Sequence, residues 1–580
     1  MSLLMLALVV IGVLVAGYVL YGSYIARQYR LDDARVTPAV EKNDGADFVP
    51  ERPFYLMGQH FSAIAAAGPI AGPIIACGVF GWLPCALWIA IGVVLIGAVH
   101  DFSALVASVR HGACSIAEVA KENLGKRAGL ALLWFIWLAL LYVILAFTQI
   151  TAGTFVGKAE ELQGLATTFN KGGAVAMSST LYLLLALSLG LVHRFFRPPM
   201  WLVIAVFVPA TLVCVWAGTR LDSVLNFGLS TWVSLILAYC LIASMLPMWL
   251  LQQPRGFLGG FVLYMAIGVG VVGILFGGYE IRQPAISETS WRMLDPWPAL
   301  RGGAGAPPIT TLLVPFLFVT IACGACSGFH GLICGGTTSR QIARESHCKP
   351  VAFGSMLLEG LVAVIALSTA MILAPEQTKG VPAARIYGDG LASFLTLLLG
   401  KDAFTFCATF GAMAFSTFVF DTLDVSTRLG RYLLCELFRT SGRLAGLAAA
   451  GVTVSIPLAF LLLSEPNAYV PYWTLFGSSN QLLAALTLLA VTVWLVRQGR
   501  RCWYTFWPML FVMTITVTAL ALQVVQGARV AVNTGKWADP AVINAGVAVA
   551  LLALAGVFVV ESVRAVRRAH GAKADGGIAP

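Results

Sequence analysis

Fifteen runs of apolar residues, each long enough to cross a lipid bilayer, constrain this sequence more than any other feature. A transmembrane helix needs about 20 mainly apolar residues. Only 11% of the 580 residues are charged and the mean hydropathy is +0.85, whereas about a quarter of a soluble domain is charged. The sequence therefore predicts an all-α polytopic membrane protein with about 15 to 18 transmembrane helices and no separate soluble domain. The predicted spans are 2–24, 61–80, 84–108, 128–152, 176–192, 199–217, 229–251, 257–278, 310–334, 351–374, 402–423, 444–464, 471–496, 503–526 and 541–563.

Positive charge is unevenly distributed among the loops between these spans. Most of the 37 Lys and Arg residues lie in alternate loops, which predicts an N-terminus outside the membrane and a cytosolic C-terminus. The net charge of +10 is thus a topology signal, and we expect the lipid bilayer, not nucleic acid, as a partner. We divide the chain into an N-terminal core region at 1–400 and a five-helix membrane region with a short cytosolic tail at 401–580.

Two Gly-Pro pairs interrupt the second span, after a polar segment that contains His60. Proline has no backbone N–H and clashes with the carbonyl one turn earlier, so a regular helix is excluded and the carbonyls of Ala65 and Pro69 should lose their partners. Within a membrane, protein or a water-filled cavity must satisfy such groups, and many transporters bind ions or substrates at such breaks. A kink that serves only packing is the alternative. The predicted site residues in this segment are His60, Ala65, Gly68, Pro69, Gly72 and Pro73.

The ninth span combines polar and small residues between positions 323 and 337. On one continuous helix, Ser327, His330 and Thr337 would share a face with three cysteines, and glycines beside them would allow close packing. We predict that these three residues line the site. We favour no metal and no other cofactor, because four soft ligands along one helix span about three turns, whereas zinc usually takes its ligands from a turn or two elements. The weaker zinc alternative would use Cys323, Cys326, His330 and Cys334.

Ionisable residues inside spans are expensive and are candidate functional groups. We predict that a coupling proton is carried by His100, Asp101, His330, Glu359 and Asp421. For the adjacent pair at 100 and 101, a fixed hydrogen-bonded link between helices is an equal alternative. Two further polar features are Asn480, which either binds a polar ligand or cross-links helices, and the i,i+4 pair Asp424 and Arg428, for which a surface salt bridge is favoured.

Seven segments carry a resemblance to a known family. The chain resembles the carbon starvation protein A family of peptide and pyruvate transporters. It departs from the family at Gln59, where a second histidine is frequent, at Cys326, which replaces an aliphatic residue, and in more acidic residues at 420–424. The matching segments are GQHFSAIA at 58–65, GPIAGP at 68–73, GAVHDF at 97–102, LPMWLLQQPR at 246–255, CGACSGFH at 323–330, GGTT at 335–338 and LFGSSNQLL at 475–483.

The resemblance implies import of peptides or pyruvate across the bacterial cytoplasmic (inner) membrane under carbon starvation. It also implies a LeuT-like inverted-repeat core, related to amino-acid/sodium symporters, with extra peripheral helices. We expect broken helices near 61–80, 229–251 and 310–334 to form the central site of an alternating-access transporter. Protons are the favoured coupling ion and sodium the alternative. The sequence has no catalytic or ATP-binding signature, so we do not expect an enzyme. The alternative function is a sodium-coupled amino-acid or carboxylate symporter, and a channel or a membrane sensor is less favoured. No oligomeric state is indicated.

Overall fold

The molecule consists almost entirely of α-helices that pack around a hydrophobic core. The computed structural model describes residues 2–44, 48–157, 159–161, 168–287, 299, 308–463, 469–537 and 539–574. In this part, twelve helices are long and apolar enough to cross a membrane, and a helix pair bent by 47° makes thirteen spans if it is counted as one. Two of the fifteen predicted spans are not among these thirteen. One is a 17-residue helix and the other is a second broken helix. The predicted all-α polytopic fold is confirmed.

The first half of the chain contains the bent pair, formed by α3 and α4. A π-helical turn interrupts both α1, at Gly17–Gly22, and α5, at Val93–Gly97. A short antiparallel pair of strands, which the sequence did not predict, follows α7. The elements are α1 (Leu3–Tyr29), α2 (Pro38–Glu41), α3 (Pro53–Ile64), α4 (Gly68–Phe80), α5 (Trp82–Arg110), α6 (Ile116–Leu124), α7 (Lys126–Phe155), β1 (Ala159–Glu161), β2 (Thr168–Asn170), α8 (Lys171–Phe196), α9 (Met200–Arg220), α10 (Leu229–Met245) and α11 (Gln252–Phe276).

The second half contains the other broken helix, formed by α12 and α13, and four further helices of more than 20 residues at its end. Short 3-10 turns lie at Ile309–Thr311, Thr338–Gln341 and Lys401–Ala403. The helices are α12 (Leu313–Thr320), α13 (Gly328–Gly336), α14 (Glu345–Met371), α15 (Pro375–Thr378), α16 (Ala383–Leu399), α17 (Phe404–Leu437), α18 (Arg443–Leu463), α19 (Tyr469–Arg497), α20 (Trp503–Thr534) and α21 (Pro540–Ala574).

The break between α3 and α4 is at residues 65–67, directly before the first Gly-Pro pair. Helix α3 ends at Ile64, and Gly68 begins α4 with Pro69 in its first turn. Proline is tolerated there because the N–H groups of a first turn have no helical partner. Pro73 lies inside α4. Among the described residues, none donates a hydrogen bond to the carbonyl of Ala65, so the break leaves backbone oxygen available beside the core.

The segment 323–337 differs from the continuous helix that the sequence predicts. Residues 321–327 are not helical, and α13 begins only at Gly328. The prediction that Cys323, Cys326 and Ser327 share a helical face with His330 is therefore wrong. Three side chains from other helices satisfy carbonyls at the end of α12, which makes the interruption stable. Trp88 Nε1 donates to Ile321 O at 3.3 Å, Trp473 Nε1 to Thr320 O at 3.4 Å and Gln481 Nε2 to Phe318 O at 2.9 Å.

The predicted broken span at 229–251 is instead a short helix followed by a turn. Helix α10 ends at Met245, Leu246 is extended, and α11 begins at Gln252. Arg428 of α17 stabilises this end, because its Nη2 donates to Ala243 O at 2.9 Å and to Leu246 O at 2.7 Å. Cations that bond the last carbonyls of a helix are a common way to end it. Pro247 thus lies in a turn between two helices and does not break a span.

Candidate functional site

The two helix breaks lie against each other in the middle of the molecule. A Cβ atom on Gly68 would overlap the Cys323 side chain, and one on Gly72 would overlap the carbonyl oxygen of Thr320. The ideal Cβ of Gly324 is 3.5 Å from Pro69 Cα. Small residues permit this close approach of two backbones. The Gly-Pro segment therefore faces the second break, and both interruptions contribute to one region.

Asn480 of α19 joins the second break to a third helix. Its Oδ1 accepts from the Phe329 N–H at 2.9 Å, and its Nδ2 donates to Ser327 Oγ at 3.0 Å and to Cys323 Sγ at 3.2 Å. The first N–H groups of a helix have no helical acceptor, so the amide oxygen supplies one at the start of α13. Asn480 and Ser327 are both buried. Cross-linking, one of the two roles that the sequence left open for Asn480, describes these contacts.

A chain of four buried ionisable side chains runs beside the breaks. His330 Nδ1 lies 2.9 Å from Asp101 Oδ2, and the other oxygen of Asp101 lies 2.8 Å from His100 Nδ1. On its opposite edge, His330 Nε2 is 3.1 Å from Glu359 Oε2, an ion-pair distance without the alignment of a hydrogen bond. The chain Glu359, His330, Asp101, His100 thus alternates acids and bases from α14, α13 and α5.

His60 extends this region towards the first break. Its Nδ1 lies 2.8 Å from Thr338 Oγ1, and its Nε2 lies 4.0 Å from Cys334 Sγ. The same thiol donates to the carbonyl oxygen of Asp101 at 3.4 Å. One weak sulfur contact therefore separates His60 from the four-residue chain. Thr338, which sequence reasoning missed, holds His60, whereas the predicted Thr337 is exposed.

The cysteines do not gather around a metal. Cys323 contacts Asn480, Cys334 contacts His60 and Asp101, and His330 lies between two carboxylates. In the part of the chain that the structure describes, no group of three or more His, Cys, Asp and Glu residues is arranged to hold a metal ion. The weak zinc alternative at 323–334 therefore has no support in the geometry.

Asp421 belongs to a second cluster, centred on Arg255 of α11. Arg255 Nε is 3.3 Å from Asp421 Oδ1, and Arg255 Nη1 bonds Asp424 Oδ2 and, at 2.7 Å, the hydroxyl of Tyr239. Arg255 and Asp424 are buried, and Asp424 pairs with Arg255 and not with Arg428. The predicted surface salt bridge of Asp424 and Arg428 is therefore wrong. Sequence reasoning missed Arg255, because a single charge in a loop was interpreted only as a topology signal. A lone arginine at the start of an apolar segment is nevertheless a signal that could have identified it.

A third cluster at one end of the molecule surrounds the buried carboxylate of Glu345. Arg110 donates to it twice, at 3.0 and 2.9 Å, Arg35 donates at 3.1 Å, and the N–H of Asp32 donates at 3.0 Å. Nearby, the backbone N–H and the hydroxyl of Ser346 donate to the Asp33 carboxylate, which holds the pKa of Asp33 below its usual value. This end of the molecule therefore ties the segment after α1 to α5 and α14.

Comparisons with known proteins find a matching family and several relatives. The family model "Carbon starvation protein CstA" matches residues 2–388 and 379–519. The chain is 32% identical to the "Peptide transporter CstA" of Helicobacter pylori (strain ATCC 700392 / 26695) over 88% of this chain and 80% of that protein. It is 31% identical to the Bacillus subtilis (strain 168) protein of the same name over 95% of both chains. The "Pyruvate/proton symporter BtsT" of Escherichia coli (strain K12) is 30% identical, over 90% of this chain and 82% of that protein.

Solved structures of other transporters are similar at lower identity. MhsT in complex with L-phenylalanine matches 82% of this chain and 98% of its own, with 13% identity and a TM-score of 0.45. A manganese transporter of Eremococcus coleocola matches 91% of this chain and 99% of its own, with 14% identity and a TM-score of 0.42. The family match, the relatives and the many apolar helices lead to one conclusion: this chain belongs to the carbon starvation protein CstA family of multi-pass membrane transporters.

Proposed function

We propose that the protein is a proton-driven secondary transporter that imports peptides or pyruvate across the bacterial cytoplasmic membrane during carbon starvation. It works by alternating access, with its N-terminus outside and its C-terminus in the cytosol. The single observation that carries the proposal is the buried chain of Glu359, His330, Asp101 and His100 beside two helix breaks. The name of the relative BtsT, a pyruvate/proton symporter, supports the same coupling ion.

The four-residue chain contains the kinds of side chain that a proton carrier needs. Buried ionisable groups at membrane depth are expensive to keep, and here two carboxylates and two imidazoles contact one another in sequence. His330 reaches one carboxylate with each ring nitrogen, so a proton gained or lost by any member changes the charge seen by its neighbours. A group that only stapled helices would not require four titratable residues in contact.

The position of the four-residue chain supports coupling of proton transfer to substrate movement. His330 lies on α13, which starts at the second break, and Asp101 lies on α5. A rearrangement that rocks the broken helices against α5 and α14 separates or joins members of the chain, because His330 is the member that touches both carboxylates. Protonation and the orientation of the broken helices are then linked through differential contacts in the two states.

The test measures uptake by purified full-length protein in liposomes. Labelled pyruvate or L-alanyl-L-alanine is supplied under an imposed proton or sodium gradient. We expect saturable accumulation driven by the proton gradient alone. Asp101→Asn should abolish uphill accumulation while exchange between labelled and unlabelled substrate continues. Asp402→Asn, at an exposed aspartate, is the matched control. Accumulation driven only by a sodium gradient would show that sodium, and not the proton, is the coupling ion. Flux without saturation or counterflow would identify a channel.

A further inference from the structure

A cavity of about 120 Å³ lies apart from the four-residue chain, among α7, α8, α10, α11 and α17. Two of its lining residues, Thr180 and Leu235, are exposed, so the cavity opens at the periphery of the molecule. Its aromatic walls are Phe155, Tyr182, Trp232, Tyr239 and Phe420, and its polar lining residues include Arg255, Ser179 and Thr417.

Arg255 brings an unused donor to this cavity. Its side chain is 3% exposed. Nη1 donates to Asp424 and to Tyr239. Nε lies 3.3 Å from Asp421 Oδ1, an ion-pair distance without hydrogen-bond alignment, and no described residue accepts a hydrogen bond from Nη2. A guanidinium carries five N–H donors in a planar fork that suits carboxylate oxygens. A buried arginine with a free nitrogen at a cavity therefore indicates an acceptor that enters from outside the chain.

Thr417 supplies a second donor in the same space. It is buried, and its Oγ1 has no hydrogen-bond partner among the described residues. Buried polar groups without a partner are uncommon in native proteins. The neighbouring Ser179 Oγ is paired with Ser416 Oγ at 3.0 Å, so the unsatisfied hydroxyl of Thr417 is a property of this position and not of the whole lining.

The formal charges of the ionisable side chains beside the cavity cancel. Arg255 and Arg428 carry two positive charges, and Asp421 and Asp424 carry two negative charges. All four side chains are largely buried. Arg428 bonds backbone carbonyls of α10, so it adds a positive charge without consuming a carboxylate. An anion that contacts Arg255 thus joins a cluster whose formal charges cancel, and it meets Nη2, from which no described residue accepts a hydrogen bond.

We propose that this cavity binds a small monocarboxylate of three or four carbons, with its carboxylate on Arg255 Nη2 and Thr417 Oγ1 and its carbon chain against the aromatic walls. The inference rests on the proposed transport function and selects one of its two substrate classes. The volume suits a short organic acid and excludes an extended peptide. Arg255 also links the cavity to the first broken helix through Asp421, because Ser62 Oγ of α3 donates to Asp421 Oδ2 at 3.5 Å.

Equilibrium binding of labelled pyruvate to the purified full-length protein tests the site. Thr417→Val keeps the side-chain volume and breaks no hydrogen bond to any residue that the structure describes. We expect it to raise Kd about fivefold through loss of one bond to the ligand. Arg255→Lys retains the charge beside the aspartates but removes the planar fork, and should raise Kd at least about tenfold. Thr516→Val is the matched control, at a buried threonine of α20 that bonds its own helix. It should leave Kd unchanged.

The transport assay described above separates failure of the site from failure of the function. If Thr417→Val and Arg255→Lys bind pyruvate with the Kd of the wild type, the proposed binding site is refuted. Proton-driven uptake by the wild type would still support the proposed transport function. Accumulation of L-alanyl-L-alanine without any binding of pyruvate overturns the monocarboxylate class. If neither compound accumulates, the proposed function fails, and the Kd series still decides whether the cavity is a carboxylate site. Melting temperature shows whether Arg255→Lys folds, and Thr417→Val carries the test if it does not.

Discussion

His330 is the residue on which the buried chain depends, since it contacts a carboxylate with each ring nitrogen. We expect His330→Gln to abolish uphill uptake in liposomes, because an amide can hydrogen-bond but cannot hold a proton between Asp101 and Glu359. Exchange without a gradient should persist at a reduced rate. His193→Gln, at an exposed histidine near the end of α8, is the control. Undiminished accumulation by the His330 variant would show that the proton takes another route.

Asn480 illustrates a structural role at the residue scale. Asn480→Leu removes an acceptor from the Phe329 N–H and a donor to Ser327 and Cys323. Buried groups left without a partner cost about 1 to 3 kcal/mol each, so we expect a clearly lower melting temperature in detergent. Equal melting of the wild type and the leucine variant would mean that water replaces the amide.

The predicted site residues show what sequence reasoning can find at this scale. Rare ionisable groups in apolar runs identified His100, Asp101, His330 and Glu359 individually, because each is expensive in a membrane. Their arrangement as one chain depends on how three helices pack, which no local pattern encodes. Thr337 was preferred over its neighbour because a continuous helix was assumed, and the break rotates the segment.

At the scale of elements, the contact between the two breaks requires glycine. A Cβ on Gly72 would meet the backbone carbonyl of Thr320, which cannot move like a flexible side chain. We expect Gly72→Ala to lower both the melting temperature and the rate of uptake. Gly78→Ala is a matched control on the same helix, with no atom within 4 Å of the added carbon. It should be neutral or stabilising by about 0.5 to 1 kcal/mol, because alanine favours helix. Similar behaviour of the two variants would rule out a close fit between the breaks.

The two breaks differ in how far the sequence reveals them. Gly-Pro pairs predict an interruption in the second span from local chemistry, although the interruption itself lies at 65–67, ahead of the first proline. The second break has no proline within 321–327. It depends on donors from distant segments, among them Trp88, Trp473 and Gln481. Tertiary contacts of this kind override the helical pattern that glycine spacing indicates.

For the whole molecule, hydropathy located the helices well, since each of the fifteen predicted segments lies on a helix or a broken helix in the part of the chain that the structure describes. The inverted repeat, the division near residue 400 and the orientation of the termini stay predictions, because each concerns a relation between distant parts or the membrane itself. The ion pairs that join distant segments also escaped prediction. Arg35 and Glu345 are 310 positions apart, and charge patterning along a sequence detects only near neighbours.

Glu345 joins three such segments and allows a test of how this end of the molecule stays closed. Glu345→Gln removes charge-assisted hydrogen bonds from Arg110 and Arg35, which are stronger than neutral ones, and leaves the largely buried Arg110 without its carboxylate. We expect the segment after α1 to separate more often from α5 and α14. Cys348 is a built-in reporter, because it is fully buried three residues from Glu345.

Labelling of Cys348 by a maleimide, followed peptide by peptide with mass spectrometry, measures this opening. The rate in Glu345→Gln should rise severalfold, while labelling of Cys407, buried in α17, should stay constant. Glu118→Gln, which removes a half-exposed i,i+3 pair with Lys121, is the matched control and should not change either rate, because exposed pairs contribute little. An unchanged rate at Cys348 in the Glu345 variant would mean that apolar packing, and not this ion cluster, keeps the end of the molecule closed.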